Sequence, residues 1–134
     1  MAAAVDGGTT LISAAPTVTV SSVPLPTGLD MEVFFSEASS STGQQSRRPP
    51  LVFIHGSFHG GWCWAEHWLP FFAALGHPSY AVSLRGTSGS IAAEPRPTVA
   101  VEEHVKDLTA FLQAKGMMAK EGKGDNKKEQ QQQQ

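Results

Sequence analysis

Cysteine is nearly missing from this chain. Cys63 is the single one in 134 residues, so no disulfide can form within it and a reducing compartment is the better expectation. Long apolar runs are missing too. Nothing approaches the eighteen or so consecutive apolar residues of a transmembrane helix, so no membrane span is expected. Neither sign of charge is in excess: ten Lys and Arg against twelve Asp and Glu give a net charge of −2. That balance offers no basic stripe for nucleic acid and no acidic tail for cations. The length allows one modest domain at most.

The absences sharpen at the two ends. Residues 1–28, "MAAAVDGGTTLISAAPTVTVSSVPLPTG", hold one acid, Asp6, and no Lys or Arg. A secretory signal needs a positive start and a continuous apolar core, and neither is there. The scarcity of acids suits a transit peptide, but the arginines of one are lacking. A cytoplasmic location is therefore expected, with the plastid as the alternative. The segment reads as a flexible leader in which "TVTVSS" adds a weak edge strand. Residues 117–134, "MMAKEGKGDNKKEQQQQQ", contain no aromatic or β-branched side chain. Such a tail buries too little to offset its ordering entropy and is expected to be disordered.

Between them, residues 29–116 carry periodic apolar patterning. "LDMEVFFSEA" (29–38) reads as a strand, and "SSSTGQQSRRPP" (39–50) as a polar loop. "LVFIH" (51–55) is a short uninterrupted apolar run, the pattern of a strand covered on both faces. Residues 64–75 read as a helix with Pro70 in its first turn and Gly76 as its stop. "SYAVSL" (79–84) is a second buried strand, followed by a loop over 85–97. Thr98 is the expected N-cap of a helix running to Lys115. Val101, Val105, Leu108 and Leu112 form its apolar stripe, with Glu102, Glu103, Lys106 and Asp107 towards the other side.

Strand, helix, strand, helix is the grammar of a parallel sheet with right-handed crossovers, and ligands of such sheets sit outside the carboxyl ends of the strands. The loop after "LVFIH" is one of those ends, and it reads "HGSFHGGWCW". Gly56 lets the chain turn and leaves space beside the backbone. The turn can aim the amide of Ser57 across the strand ends, where it would receive the negative charge of a carbonyl oxygen under attack.

"LVFIHGSFHGGWCW", with "HWLPFFAALGHPSYAVSLRG" and "HVKDLTAFL" after it, closely resembles the N-terminal part of plant α/β-hydrolase superfamily proteins. Its loop is similar to that of the methylesterase and hydroxynitrile lyase group. The resemblance spans roughly residues 29–115. It implies a partial α/β-hydrolase fold, built from the N-terminal strands of a mostly parallel sheet with two crossover helices. It also implies carboxylic-ester hydrolysis or a related lyase reaction by a Ser-His-Asp triad, without metal or other cofactor. By this match the Ser57 amide is an oxyanion donor, and His55, Gly56, Phe58, His59 and Gly60 shape the loop. Trp62 and Trp64 are candidates for lining a pocket.

The chain also departs from the family. No G-x-S-x-G elbow follows the second helix, and no triad member stands at a matching position. "GTSGS" (86–90) nearly spells an elbow around Ser88, but it follows the wrong strand and leads into a proline-containing loop. Ser57 acts through its amide, Cys63 reads as a packed thiol, and the spacing of His55, His59 and His67 does not converge on a metal. His104 and Asp107, one turn apart, read as a solvated polar face. Three readings follow: an esterase-derived chain lacking competent acyl transfer, a half-domain that binds a small hydrophobic ligand or a protein, or an incomplete reading frame or splice form. Without the elbow strand, "LVFI" would present an unpaired apolar edge, so self-association or dependence on a partner is expected.

Overall fold

The computed structural model describes residues 16–39 and 48–119. The readings made for 1–15, 40–47 and 120–134 lie outside the described residues. Four strands form one sheet in the order β1-β2-β4-β3: β1 Val18–Pro24, β2 Asp30–Ser36, β3 Leu51–Ile54 and β4 Ser79–Val82. β3 and β4 run parallel and are joined by a crossover containing a 3₁₀ turn, Gly61–Trp64, and helix α1, Trp68–Ala74. β1 with β2 and β2 with β4 are antiparallel, so the sheet is mixed, with one parallel pair among its three. Helix α2, Val101–Ala114, follows a long loop.

Alternation along the strands sends successive side chains to opposite faces. Met31 and Val33 of β2 and Val82 of β4 meet Leu25, Leu29 and Phe111 on the α2 side. Phe34 and Ala81 meet Leu69 of α1 on the other. Full burial of Phe111 alone is worth roughly 2–3 kcal/mol of transfer free energy. β1, which holds five of the six residues of "TVTVSS", pairs with β2 along seven residue pairs from Val18 to Pro24. Leu25 closes the β1–β2 turn through Leu29, with Gly28 at φ 84°.

Three expectations need correction. β3 is not covered on both faces; it lies at the sheet edge, half-buried, with Ile54 exposed. Thr98 is not the N-cap of α2. Ala100 holds that position, and the Glu103 carboxylate accepts its amide proton at 3.1 Å, which moves the helix start inward. Only half of the expected stripe of α2 faces inward: Leu108 and Leu112 pack on the core, but the two valines do not. Val101 is 72% and Val105 55% exposed, while Asp107 and Phe111 are fully buried.

Electrostatics explains that rotation. Arg85, just beyond β4, donates from Nε and Nη2 to the two carboxylate oxygens of Asp107 at 2.8 and 2.7 Å. Its Nη2 also reaches the Thr27 carbonyl in the β1–β2 turn at 3.4 Å. The hydrogen bond to Asp107 holds the Arg85 guanidinium above its ordinary pKa. Asp107 is thus an anchor, not part of a solvated face, and the bidentate fork fixes the turn of α2 that faces the sheet. Removing one partner leaves the other buried without its counter-charge. Asp107→Ala is expected to lower unfolding free energy by about 3–5 kcal/mol in urea titrations, against less than about 0.5 kcal/mol for Glu102→Ala on the exposed side.

Candidate functional site

Because β3 and β4 are parallel, the segments leaving them emerge at the same end of the sheet. The His-Gly loop (55–60) and the loop after β4 (83–90) meet there, and His55 joins them. Its ring is buried. The Leu84 amide donates to Nε2 at 3.0 Å, and an amide can only donate, so Nε2 is the acceptor and Nδ1 carries the proton. Nδ1–H then donates to the Gly56 carbonyl at 2.7 Å. Thr87 Oγ1, 3.2 Å from Nε2, gives its proton to the Leu84 carbonyl at 2.6 Å.

That hydrogen bond sets the direction of the next peptide. A planar trans unit points its C=O and N–H in opposite directions. With the Gly56 carbonyl turned to the His55 ring, the Ser57 N–H points away from it. Among the described residues, no carbonyl or side chain accepts from the Ser57 amide. Ser57 is exposed in a turn with Phe58, whose φ is 61°. Gly56 has no left-handed backbone, and a Cβ there would meet nothing within 4 Å, so the space beside it is open.

The following glycines serve close packing. A Cβ on Gly60 would come within 2.8 Å of the Ser88 Cβ. One on Gly61 would meet the Phe34 ring at 2.8 Å and the Ala81 carbonyl at 3.1 Å, so this glycine lets the 3₁₀ turn lie on the sheet. Trp64 turns inward against Phe53, ring centroids 5.3 Å apart, whereas Trp62 is exposed beside His59 at 5.7 Å. Of the two tryptophans, Trp62 is the one at the loop surface.

A second network underlies the loops, and sequence reasoning missed it. Glu32 on β2 accepts from Ser83 Oγ at 2.7 Å, and Ser83 Oγ accepts from the Gly61 amide at 2.9 Å. Ser90 Oγ receives the Glu32 amide at 2.9 Å and donates to the Ser83 carbonyl at 2.6 Å. Burial pushes the Glu32 carboxyl up, but hydrogen bonds from the Ser88 and Ser83 hydroxyls and the Gly89 amide outweigh it and hold the carboxyl below its ordinary range. The available signal was Glu32, an acid set between the apolar Met31 and Val33 inside the strand.

This network decides how the other candidates stand. Ser88, at φ 46° in a turn closed by the Ser90 amide on the Thr87 carbonyl (2.9 Å), places its hydroxyl among the groups that hold the Glu32 carboxyl below its ordinary range. A carboxylate of lowered pKa is a poor proton acceptor and cannot activate that hydroxyl as a nucleophile. Burial raises the Cys63 thiol above its ordinary pKa despite a hydrogen bond with its own backbone, which disfavours the reactive thiolate. Both ring nitrogens of His55 are engaged, His59 lies against Trp62, and exposed His67 faces Glu66 at 3.9 Å. These three histidines do not share a centre. Chemically, the site presents backbone amides without an acceptor among the described residues, that of Ser57 included, beside an apolar loop.

Comparison with known proteins agrees with this frame. Residues 51–126 match the profile described as the alpha/beta hydrolase family. Methylesterase 1 of Arabidopsis thaliana is 30% identical over 69 residues, which are 52% of this chain and 26% of that protein. Among solved structures, an epoxide hydrolase from Vigna radiata superposes with a TM-score of 0.60 at 21% identity, over 74% of this chain and 29% of that one. One from an endophytic Streptomyces gives 0.57 at 27% identity, over 74% and 27%. The chain belongs to the alpha/beta hydrolase family and has the N-terminal portion of that fold. It spans between a quarter and a third of the length of these relatives. Among the described residues, no helix is long and apolar enough to cross a membrane.

The Glu32 network has a pH signature. Folding lowers the Glu32 pKa below its ordinary 4.5, so its stabilisation is complete above that pH and is lost as pH falls through the folded-state value. Glu32→Gln should therefore reduce stability at neutral pH and flatten the acid limb of a stability-against-pH curve. A variant whose curve parallels the wild type down to pH 3 would contradict this.

Proposed function

We propose that residues 55–61 are the oxyanion-donor half of a serine-hydrolase site for carboxylic esters or a related lyase reaction, and that this chain alone does not carry out acyl transfer. The Ser57 amide supports the first clause: it is held free and directed by the bond between His55 and the Gly56 carbonyl. Its ligand would be a small apolar ester-like molecule whose carbonyl oxygen lies on that amide. His55 is then a positioning residue. Its neutral ring, fixed by Leu84, keeps the donor preorganised so that no rearrangement is needed as charge develops.

The second clause rests on what stands around that donor. One oxyanion donor is worth about 3–4 kcal/mol of barrier, and the α/β-hydrolase arrangement takes its second from the residue after the nucleophile. Ser88, the nearest approach to an elbow, has a weakly basic carboxylate, Glu32, as its neighbour and Ser90 in place of the second glycine. The Arabidopsis relative, a methylesterase, favours an ester, and the structural neighbours, epoxide hydrolases, an epoxide. An amide donor suits the carbonyl oxygen of the ester. Titrating the chain with acetate should move the Ser57 amide resonance among the most of any in the NMR spectrum, and a fluorophosphonate probe should label no serine. An unmoved Ser57 amide overturns the first clause, and a labelled serine overturns the second.

A further reading, in which the domain pairs with protein through its sheet edge, is favoured by β3. Among the described residues its outer edge is unpaired. Ile54 at its end, Trp68 and Phe71 on α1 and Val105 on α2 are exposed apolar side chains on the two faces. Leu51–Ile54 contains no charge or proline to discourage pairing, whereas the opposite edge, β1, is rich in Ser and Thr and ends in Pro24. We infer that the chain self-associates there. Sedimentation should show concentration-dependent association that Ile54→Lys abolishes. A wild-type chain that stays monomeric at high concentration contradicts it.

A further inference from the structure

Phe58 holds a conformation that its own side chain opposes. Its φ of 61° lies in the left-handed region that bulky residues rarely enter, at a cost glycine would not bear. Its ring is also fully exposed, and among the described residues no aromatic ring pairs with it. The side chain thus contributes neither packing nor a hydrogen bond to offset the strain. The other residue of this kind, Ser88, differs: it is small, and its hydroxyl is among the groups that lower the Glu32 pKa. Phe58 directly follows Ser57, and the exposed His59–Trp62 pair continues the same loop.

We propose that Phe58 determines ligand specificity: its ring covers the aliphatic part of a carboxylate or ester whose oxygen lies on the Ser57 amide. This rests on Ser57 as the oxygen donor and adds to it a preference for longer acyl or alkyl chains. Strain and exposure at Phe58 are then both accounted for, because the ring gains its contacts from the ligand. A hydrophobic surface kept in water and a backbone kept strained are the features a folded chain loses readily by mutation unless binding uses them.

The test is a series of acetate, butyrate and hexanoate titrated into the full chain and followed at the Ser57 amide by NMR. Each methylene buried against the ring tightens binding by up to about fourfold, so hexanoate should bind at least about tenfold tighter than acetate. Phe58→Gly should melt about 2–5 °C higher, keep the acetate response and lose the chain-length dependence. Phe58→Tyr should retain it. Equal binding along the series, an unchanged length dependence in Phe58→Gly, or a lower melting temperature for that variant overturns the proposal while leaving Ser57 as donor intact. If no carboxylate moves the Ser57 amide, the donor reading fails and this one fails with it.

Discussion

One imidazole ring holds the end of β3 to the segment beyond β4. Nε2 of His55 accepts from the Leu84 amide, which forces the proton onto Nδ1, and Nδ1 turns the Gly56 carbonyl towards the ring. The direction of the Ser57 N–H follows from peptide planarity. The position of this donor therefore depends on a bond 29 residues away in sequence, between a strand end and a loop that the crossover brings together. A ring with both nitrogens engaged is poorly suited to bind metal or shuttle protons, so the buried histidine of the site acts as structure.

Around that junction, polar groups are satisfied in chains. Glu32, Ser83, Ser90 and the Gly61 amide tie β2, β4, the 3₁₀ turn and the "GTSGS" loop into one network. Arg85 ties the same loop to α2 and to the β1–β2 turn through Asp107 and Thr27. The strand ends are rigid because these groups are partly buried and would be costly to leave unpaired. Rigidity stops at Ser57 and Phe58, where an amide and a ring face solvent.

The sheet edge shows the opposite economy. β1 is polar and closed by proline, while β3 is bare and flanked by apolar side chains on both faces. Serine, threonine and a terminal proline discourage strand pairing at the first edge, and nothing in Leu51–Ile54 does so at the second.

Composition and short-range pattern were enough for the strand at 30–36, the crossover from 51 to 82, the stop at Gly76 and the family to which the loop belongs. Those features depend on alternation, on apolar runs and on glycine at φ 95°, all local properties of the backbone. The face of α2 was illegible, because a stripe of valines is locally the better apolar surface and only Arg85, 22 residues earlier, makes Asp107 the buried one. The tautomer of His55, the Glu32 network and the strained, exposed Phe58 were illegible for the same reason. Each is set by partners distant in the chain or by the absence of any partner, and only packing the strands side by side decides which donors find acceptors and which are left facing water.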